Sequence, residues 1–282
     1  MTVIDGKAVS AKCKAETAEE IKELTKDGTR APALAVILVG EDPASQVYVR
    51  NKKRACELVG ITSLEYLLPE DTEESELLAL IGKLNADENV DGILVQMPVP
   101  KQINADRVIA AISVDKDVDA FSAYNVGCLN LGKPRFMPCT PAGVMRLLKE
   151  YSIDAGGKNC VVVGRSNIVG KPMASLLLAA NGTVTVCHSR TKDLASFTKS
   201  ADILVAACGK PEMIKGDMVK EGAVLIDVGI TSVDGKLKGD FEFESCAEKA
   251  SFITPVPGGV GPMTIAMLLA NTVTAYKMKF GK

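Results

Sequence analysis

Three polar side chains in the first half of the chain have types and spacing that suit ligand binding and proton transfer. Tyr48 and Lys52 are four residues apart in a predicted helix, so both project from one face of it. Gln96 interrupts the apolar run DGILVQMP near its carboxyl end, where open α/β sheets bind their ligands. A polar amide at such a position must find a hydrogen-bond partner or contact a ligand. These positions therefore predict a site at the edge of a sheet.

Two aspartates, Asp117 and Asp119, lie in the loop VDKDVDAF and are further candidates. Each candidate also has an ordinary structural interpretation. A Tyr/Lys pair on a helix usually lies at the surface, a glutamine in a strand usually caps a neighbour, and loop aspartates usually stabilise turns. It is the convergence of all of them on one expected cleft that favours a functional site.

The second half carries the segment VVVGRSNIVGKPMAS, which has the strand, glycine turn and helix of a dinucleotide site. Gly164 ends the apolar strand, and Gly170 opens a helix whose N-terminus could hold a pyrophosphate. The spacing departs from G-x-G-x-x-G because Ser166 stands in place of the middle glycine. A phosphate loop is excluded, since Pro172 stands where Ser or Thr is required. An ordinary strand-to-helix turn is the alternative for this segment taken alone.

The strand after this helix ends without an acidic residue. NAD sites place a carboxylate there to bind the ribose hydroxyls, whereas TVTVCHSRTK ends in His188, Ser189 and Arg190. Hydroxyl and guanidinium groups suit a 2′-phosphate, and Arg165 can approach the same pocket, so the sequence favours NADP over NAD. A solvated surface charge is the alternative for Arg190. We expect His188 to be a wall or packing residue on the adenosine side rather than a catalyst.

The elements that position these residues alternate between strand and helix, which is typical of a parallel α/β sheet. Strands are predicted at 33–40, 63–69, 91–98, 159–164, 183–189, 202–209 and 222–229. Helices are predicted at 8–26, 43–60, 71–85, 104–112, 140–151, 169–182 and 263–279, the third beginning with a capping box of Asp71 and Glu74. The pattern predicts an α/β protein of two domains with a cleft between them, the C-terminal one a Rossmann-like parallel sheet. We place the domains at 1–139 and 140–262, with the helix of 263–282 packed on the first.

Composition argues against several classes of protein. The chain has 33 basic and 35 acidic residues, a net charge of −2, so it is not built to coat nucleic acid or an anionic membrane. Aromatic residues make up 4% and tryptophan is absent, which argues against a stacking platform for single-stranded nucleic acid. The eight cysteines are scattered and only one histidine accompanies them, so we expect no metal site and reduced thiols. We find no targeting leader and no apolar run long enough to span a bilayer, and we expect a cytoplasmic protein.

Eight segments resemble, in order, the family of bifunctional methylenetetrahydrofolate dehydrogenase/methenyltetrahydrofolate cyclohydrolases. They are YVRNKKRACELVGI, DGILVQMPVP, KDVDAF, PCTPAGV, GRSNIVGKP, CHSRT, IDVGI and TPVPGGVGPMT. The similarity runs from about Asp5 to Thr272, nearly the whole chain. GRSNIVGKP and TPVPGGVGPMT are very specific to this family, whereas an isolated Y-x-x-x-K would not be.

The resemblance implies a bifunctional one-carbon enzyme that is usually a homodimer, with folate bound in the cleft and NADP on the C-terminal domain. Its reactions would be the NADP-dependent oxidation of 5,10-methylenetetrahydrofolate to 5,10-methenyltetrahydrofolate, then hydrolysis to 10-formyltetrahydrofolate. Such products feed purine, histidine and methionine biosynthesis. Residues 1–139 would form the folate-binding catalytic domain, and residues 140–262 the NADP-binding domain.

Individual roles also follow from the resemblance. Lys52 would be the catalytic lysine, with Tyr48 and Gln96 as its partners, and Asp119 would anchor the pterin ring. The expected NADP contacts are Gly164, Arg165, Ser166, Ser189 and Ile230, together with Arg190 from the argument above. The expected folate contacts, besides Tyr48, Gln96 and Asp119, are Pro98, Pro257, Gly258 and Gly259.

The loop after Asp119 departs from the family pattern. The family commonly reads D-G-F/L followed by His or Thr and Pro, whereas Ala120, Phe121, Ser122 and Ala123 follow here. A glycine is needed at the first of these positions if its φ is positive. Because the catalytic candidates all remain, we expect both activities.

Other functions stay open at this point. A dehydrogenase of small hydroxy acids lacks support, because no histidine stands in the first half to take the alcohol proton. A non-catalytic NADP-binding module would need none of Tyr48, Lys52 or Asp119. A monofunctional cyclohydrolase would keep these residues and lack hydride transfer.

Overall fold

The computed structural model describes residues 1–282, except for the side chains of residues 43 and 44. The strands in chain order are β1 (Thr2–Val3), β2 (Ala33–Val39), β3 (Thr62–Leu68), β4 (Gly92–Val95), β5 (Asn159–Val163), β6 (Thr183–Cys187), β7 (Ile203–Ala206), β8 (Val224–Asp227), β9 (Thr231–Val233), β10 (Lys236–Lys238) and β11 (Phe252–Ile253). The helices are α1 (Gly6–Leu24), α2 (Pro43–Val59), α3 (Glu74–Ala86), α4 (Ala105–Ala111), α5 (Ala123–Asn130), α6 (Cys139–Glu150), α7 (Gly170–Ala179), α8 (Leu194–Thr198), α9 (Phe243–Lys249) and α10 (Val260–Phe280), with one 3₁₀ turn at Gly216–Met218.

The chain divides into two compact units. The six-stranded unit comprises Met1–Ala11 and Pro138–Thr264, and the three-stranded unit comprises Lys12–Met137 and Ile265–Lys282. The sequence-based division at 139/140 differs from this grouping at the N-terminus. The difference arises because β1 pairs in parallel with β11, and a strand of two residues is too short to give a periodic signal.

The three-stranded unit is built on a parallel sheet in the order β3-β2-β4. All seven residues of the central strand β2 are buried, as expected for a parallel strand covered on both faces. The cluster packed around this sheet includes Ile37 of β2, Leu77 and Ile81 of α3, and Val108 of α4. Burial of these side chains holds the sheet whose carboxyl edge carries Gln96.

The six-stranded unit is a parallel sheet in the order β1-β11-β8-β7-β5-β6. Strands β6 and β7 pair with β5 on its opposite sides, so the strand order reverses at β5. Doubly wound sheets bind their ligands at such switch points. The small antiparallel hairpin β9-β10 follows β8. Sequence patterns had predicted β5 to β8, but not the hairpin, α8, α9 or β11.

The predicted capping box of α3 is wrong. The helix begins at Glu74 with Glu73 at its N-cap, and the Glu73 side chain makes no capping hydrogen bond. The Glu74 carboxylate instead accepts a hydrogen bond of 2.7 Å from the backbone N–H of Asn104. The Glu74 carboxylate thus connects α3 to the start of α4 and does not cap the first turn of its own helix.

Membrane-spanning helices and metal-binding clusters are both absent from the part of the chain that the structure describes. No helix in that part of the chain is long and apolar enough to cross a membrane. The same residues contain no group of three or more His, Cys, Asp or Glu side chains that could hold a metal ion. All eight cysteines are free thiols.

Candidate active site

Helix α2 presents Lys52 from its buried face. The helix starts with Asp42 at the N-cap, whose carboxylate accepts a hydrogen bond of 2.7 Å from the backbone N–H of Ser45. Its buried stripe contains Val49, Lys52, Cys56 and Val59. Lys52 is thus the one charged member of an otherwise apolar row, with only 8% of its surface exposed. A lysine is rarely buried to this extent without a partner.

The partner of Lys52 is Gln96. The Lys52 Nζ donates a hydrogen bond of 2.8 Å to the Gln96 Oε1, and the Gln96 Nε2 donates to the carbonyl of Met97 at 2.9 Å. The backbone N–H of Gln96 donates to the carbonyl of Ile37, which fixes the residue at the carboxyl end of β4. The amide is therefore oriented from both ends and aims its oxygen at the lysine.

Cys56, one turn after Lys52 on the same face, stays a neutral thiol. Its burial raises the pKa of the thiol to about 12, and the nearby Lys52 ammonium acts in the opposite direction without overcoming the burial. The thiol therefore supplies no negative charge to neutralise the lysine. The amide oxygen of Gln96 is a polar atom that does contact the ammonium.

Tyr48 lies one turn before Lys52 on α2 and has 41% of its surface exposed. The two residues share the helix, as their spacing predicted, but Lys52 is buried and Tyr48 reaches solvent. Pro98 follows Gln96 by two residues and is also exposed. These side chains are placed where a ligand could touch them, and their roles stay predictions.

The loop that carries Asp119 is held by its neighbours. Asp117, which is 2% exposed, accepts hydrogen bonds from the backbone N–H groups of Phe121 and Ser122 at 3.2 and 2.8 Å. It also accepts one of 2.8 Å from the Nδ2 of Asn125, so its carboxylate is used within the loop. Asp119 is half-buried, two residues beyond the bridge of Asp117 to β4. The Asp117 carboxylate therefore stabilises the loop, and the role of Asp119 in folate binding stays a prediction.

Ala120 adopts the backbone conformation that a glycine would serve. Its φ is +60°, in the left-handed region, and its methyl group is fully buried. This conformation costs an alanine about 1–2 kcal/mol. The loop is held nevertheless, because Asn271 of α10 donates to the carbonyl of Val118 at 2.7 Å and to that of Met137 at 2.8 Å. Ser122 caps α5 by accepting from the Asn125 N–H at 3.3 Å.

In the six-stranded unit, Gly164 lies where β5 ends and the chain turns toward α7. A Cβ on Gly164 would collide with the carbonyl of Ala207, and one on Gly170 would collide with the carbonyl of Gly164. Both glycines thus permit close approach of backbone to backbone. The hydroxyl of Ser166, in the place of the middle glycine, accepts from the N–H groups of Val169 and Gly170 at 3.2 and 3.3 Å. It therefore caps the start of α7 by satisfying two backbone N–H groups.

A cavity of about 390 Å³ opens beside this turn. Four of the residues predicted to contact NADP line it: Gly164, Arg165, Ser166 and Ser189. Its size fits part of a dinucleotide. Arg190, also predicted, is exposed and does not belong to the described lining of this cavity.

The turn after β6 is shaped by His188. Its backbone N–H donates to the Thr191 Oγ1 at 2.8 Å, and its Nδ1 accepts from the Arg190 N–H at 3.1 Å. Because Nδ1 is an acceptor here, His188 orients the backbone that presents Ser189. It also lines the cavity, as the sequence predicted for a wall residue.

The remaining predicted contacts lie elsewhere in the same unit. Ile230 is 39% exposed and packs next to Gly261, where a Cβ would lie 3.3 Å from its Cδ1. In the segment 257–259, the carbonyl of Gly258 accepts from the Lys7 N–H at 3.1 Å, and the Gly259 N–H donates to the carbonyl of Pro255. The N-terminal segment thus supports this loop, and the folate contacts assigned to it stay predictions.

Sequence reasoning missed part of the cavity wall. Thr191, Cys208 and Lys210 also line it, the last two from the loop that follows β7. Burial raises the pKa of the Cys208 thiol to about 12, and the nearby carboxylate of Asp240 adds to the effect. The apolar run of β7 predicted a strand. Because ligands bind at the carboxyl ends of strands, this strand could have pointed to the residues that follow it.

Two family descriptions match the chain. The tetrahydrofolate dehydrogenase/cyclohydrolase catalytic domain matches residues 4–119, and the NAD(P)-binding domain of the same family matches residues 138–280. A relative named bifunctional protein FolD from Acetivibrio thermocellus is 61% identical over 278 residues, which are 98% of this chain and 97% of that protein.

Solved structures give the same likeness. The crystal structure of the bifunctional enzyme FolD from Campylobacter jejuni has 54% sequence identity and a TM-score of 0.96, covering 99% of both chains. A methylenetetrahydrofolate dehydrogenase-cyclohydrolase from Trypanosoma brucei, complexed with NADP cofactor and inhibitor, has 38% identity and a TM-score of 0.96, covering 100% of this chain and 99% of that one. The likeness therefore extends over both units.

Proposed function

The chain belongs to the tetrahydrofolate dehydrogenase/cyclohydrolase family, and on that basis we propose that its reactions are carried by Lys52, Gln96, Tyr48 and Asp119 in the three-stranded unit. The protein is a bifunctional one-carbon enzyme. It oxidises 5,10-methylenetetrahydrofolate to 5,10-methenyltetrahydrofolate with NADP and hydrolyses the product to 10-formyltetrahydrofolate. The observation that carries the assignment of residues is the hydrogen bond of 2.8 Å between the buried Lys52 and Gln96.

The six-stranded unit fits NADP. Close-packed glycines at 164 and 170, the Ser166 cap and the cavity of about 390 Å³ provide a cradle at the start of α7. Arg165 and Ser189 would meet the 2′-phosphate from this cavity, and Arg190 would add charge from outside its lining. When bound, NADP supplies the hydride acceptor, and the protein supplies orientation.

The oxidation needs positioning more than acid–base chemistry. The nitrogen atoms beside the one-carbon bridge of the substrate stabilise the cation that forms when hydride leaves. No base is required for that step, so the protein's task is to fix the carbon in place. Asp119 suits this task, because a carboxylate can accept two parallel N–H bonds from the pterin amine and ring nitrogen. Tyr48, exposed on α2, would contact the same ligand.

The hydrolysis needs a proton acceptor. Water that adds to the methenyl carbon must lose a proton, and the described residues hold no metal-binding cluster that would acidify it. Lys52 can take this role in its neutral form, which burial and a cationic substrate both favour. The Gln96 Oε1 accepts a hydrogen bond from the Lys52 amine, and the Gln96 Nε2 donates to the carbonyl of Met97, so Gln96 fixes the direction of the lysine.

We also infer three features of the intact protein. The family resemblance supports a homodimer as the assembled form. The net charge of −2 and the folate chemistry support a small-molecule enzyme without nucleic-acid partners. The free thiols support a reducing compartment such as the cytoplasm.

The test is an absorbance assay with methylenetetrahydrofolate and NADP that follows NADPH and the methenyl chromophore together. Formation of NADPH with a transient methenyl signal is the expected result. Hydrolysis of added methenyltetrahydrofolate without NADPH formation would indicate a monofunctional cyclohydrolase. Binding of NADP with neither reaction would indicate a non-catalytic module.

A further inference from the structure

A fully buried carboxylate, that of Asp240, lies behind one wall of the NADP cavity. It has 0% of its surface exposed and follows the hairpin β9-β10. Its Oδ2 accepts hydrogen bonds from the backbone N–H groups of Cys208 and Gly209 at 2.7 and 3.2 Å, and its Oδ1 accepts one from Lys210 at 2.8 Å. The carboxylate of one side chain thus holds the backbone N–H groups of three consecutive residues in the turn after β7.

This turn forms part of the cavity. Cys208 and Lys210 line it together with Gly164 and Ser189. The turn would otherwise have three N–H groups to satisfy in a partly buried place, where an unmade hydrogen bond is costly. The Asp240 carboxylate therefore decides where the backbone of this wall lies.

Asp240 is itself held by a second buried carboxylate. Asp227, at the end of β8, accepts from the backbone N–H groups of Asp240 and Phe241, both at 2.9 Å, and from Gly229 at 3.0 Å. A Cβ on Gly229 would collide with the Asp240 carboxylate, so only glycine fits at position 229. Two carboxylates in series connect the end of β8 to the turn after β7.

We propose that Asp240 is a positioning residue for NADP, which fixes the wall formed by Cys208, Gly209 and Lys210. The inference rests on the assignment of this cavity to NADP. Asp240 would not touch the cofactor, and it would act only through the backbone that it orients.

The first variant is Asp240→Asn, which keeps the size of the side chain. Both carboxylate oxygens accept N–H groups, so the amide NH₂ of asparagine must face at least one donor whichever way it turns. The turn must then shift. We expect the Kd and the KM for NADP to rise by about tenfold or more, since small displacements of positioning groups have effects of that order.

The matched control is Glu242→Gln. Glu242 also uses its carboxylate to accept a backbone N–H, that of Ser245 at 3.1 Å, but it caps α9 rather than the cavity turn. We expect its Kd for NADP to stay within about twofold of the parent, because no group at the cavity loses a partner. The Kd is measured on the full-length protein by titration calorimetry, which needs no turnover.

A second variant keeps the test decisive if Asp240→Asn does not fold. Gly209 has a φ of +66° and open space around its Cα, so Gly209→Ala strains the turn without entering the core. We expect a raised Kd for NADP again. If the role of Asp240 is purely structural, its replacement should lower thermal stability. The ratio of the KM for NADP to the KM for folate should then stay unchanged.

The outcomes separate the inference from the assignment on which it rests. If the parent protein fails to bind NADP, the cofactor assignment is wrong. If the parent binds and a folded Asp240→Asn variant has the same Kd, the positioning role is wrong. If only Gly209→Ala can be prepared, an unchanged Kd overturns the inference in the same way.

Discussion

Replacing Lys52 by methionine should separate the two reactions. Methionine keeps much of the apolar stem in the row of Val49, Cys56 and Val59 and removes the amine. A well-placed base contributes about 10²–10⁴-fold to a proton-transfer step, so the hydrolysis of methenyltetrahydrofolate should fall by that factor. The oxidation uses no base and should keep far more of its rate. Methenyltetrahydrofolate should then accumulate when NADP and methylenetetrahydrofolate are supplied.

Lys52→Met also affects stability through the hydrogen bond with Gln96. The Gln96 Oε1 loses the hydrogen bond of 2.8 Å from the lysine, and an unpaired buried acceptor costs about 1–3 kcal/mol. Burial of the methionine side chain offsets part of this, because it is apolar along its whole length. We therefore expect the melting temperature to fall by only a few degrees.

Lys53→Met is the matched control for Lys52→Met. Lys53 is the next residue on α2, is exposed, and pairs with Glu65 at 3.0 Å on the surface, where solvent screens the ion pair. Its removal should change neither rate. Both rates are measured by absorbance on variants whose fold is checked by circular dichroism. A Lys52→Met cyclohydrolase rate within a few-fold of the parent, about 1 kcal/mol or less, would refute the role of Lys52.

Three further predictions concern the ligand sites. Asp119→Ala should raise the KM for folate about 10- to 100-fold in both reactions and leave the Kd for NADP nearly unchanged. Asp117→Ala should instead lower the melting temperature, because hydrogen bonds within its loop lose their acceptor. A raised KM for folate with Asp117→Ala but not with Asp119→Ala would exchange their roles. Arg165→Ala should lower the NADP/NAD ratio of kcat/KM by a factor that corresponds to about 1–3 kcal/mol. Arg190→Ala should lower this ratio by less, because Arg165 lines the cavity and Arg190 does not belong to its described lining. Equal use of both cofactors by the parent would contradict the prediction. Cys208, with its thiol pKa raised to about 12, should react slowly with iodoacetamide at pH 8, and rapid labelling seen by peptide mass spectrometry would contradict the raised pKa.

The sequence singled out Gln96 for a physical reason, because a single amide in an apolar strand is conspicuous. Such a signal arises because hydrophobic periodicity shows which side chains face the core. Lys52 was singled out only by its spacing from Tyr48, and its partnership with Gln96 was implied by the family resemblance. Strands β2 to β8 were predicted from the same hydrophobic periodicity. The hairpin β9-β10 and the strands β1 and β11 were missed, because two or three residues cannot establish a period.

Ala120 marks a second limit of the sequence. Its residue type disfavours a φ of +60°, yet the loop adopts this conformation. The cause lies in the contacts on either side, since Asp117 accepts N–H groups that follow Ala120 and Asn271 holds the carbonyl that precedes Asp119. The contact of Asn271 with the carbonyl of Val118 joins residues 153 positions apart, and no local pattern shows it. The departure from glycine is therefore accommodated by tertiary structure.

Asp240 shows the same limit in its sharpest form. Its partners are backbone N–H groups, and every residue except proline carries one, so the types of residue at 208–210 hold no trace of the interaction. The carboxylates of Asp117 and Asp227 also bind backbone N–H groups within loops. In this protein the side chains expected to touch ligands stand out from their apolar surroundings, whereas the carboxylates that orient the loops are recognised only once the chain is folded. Assays of the predicted contacts alone would therefore overlook the residues that place them.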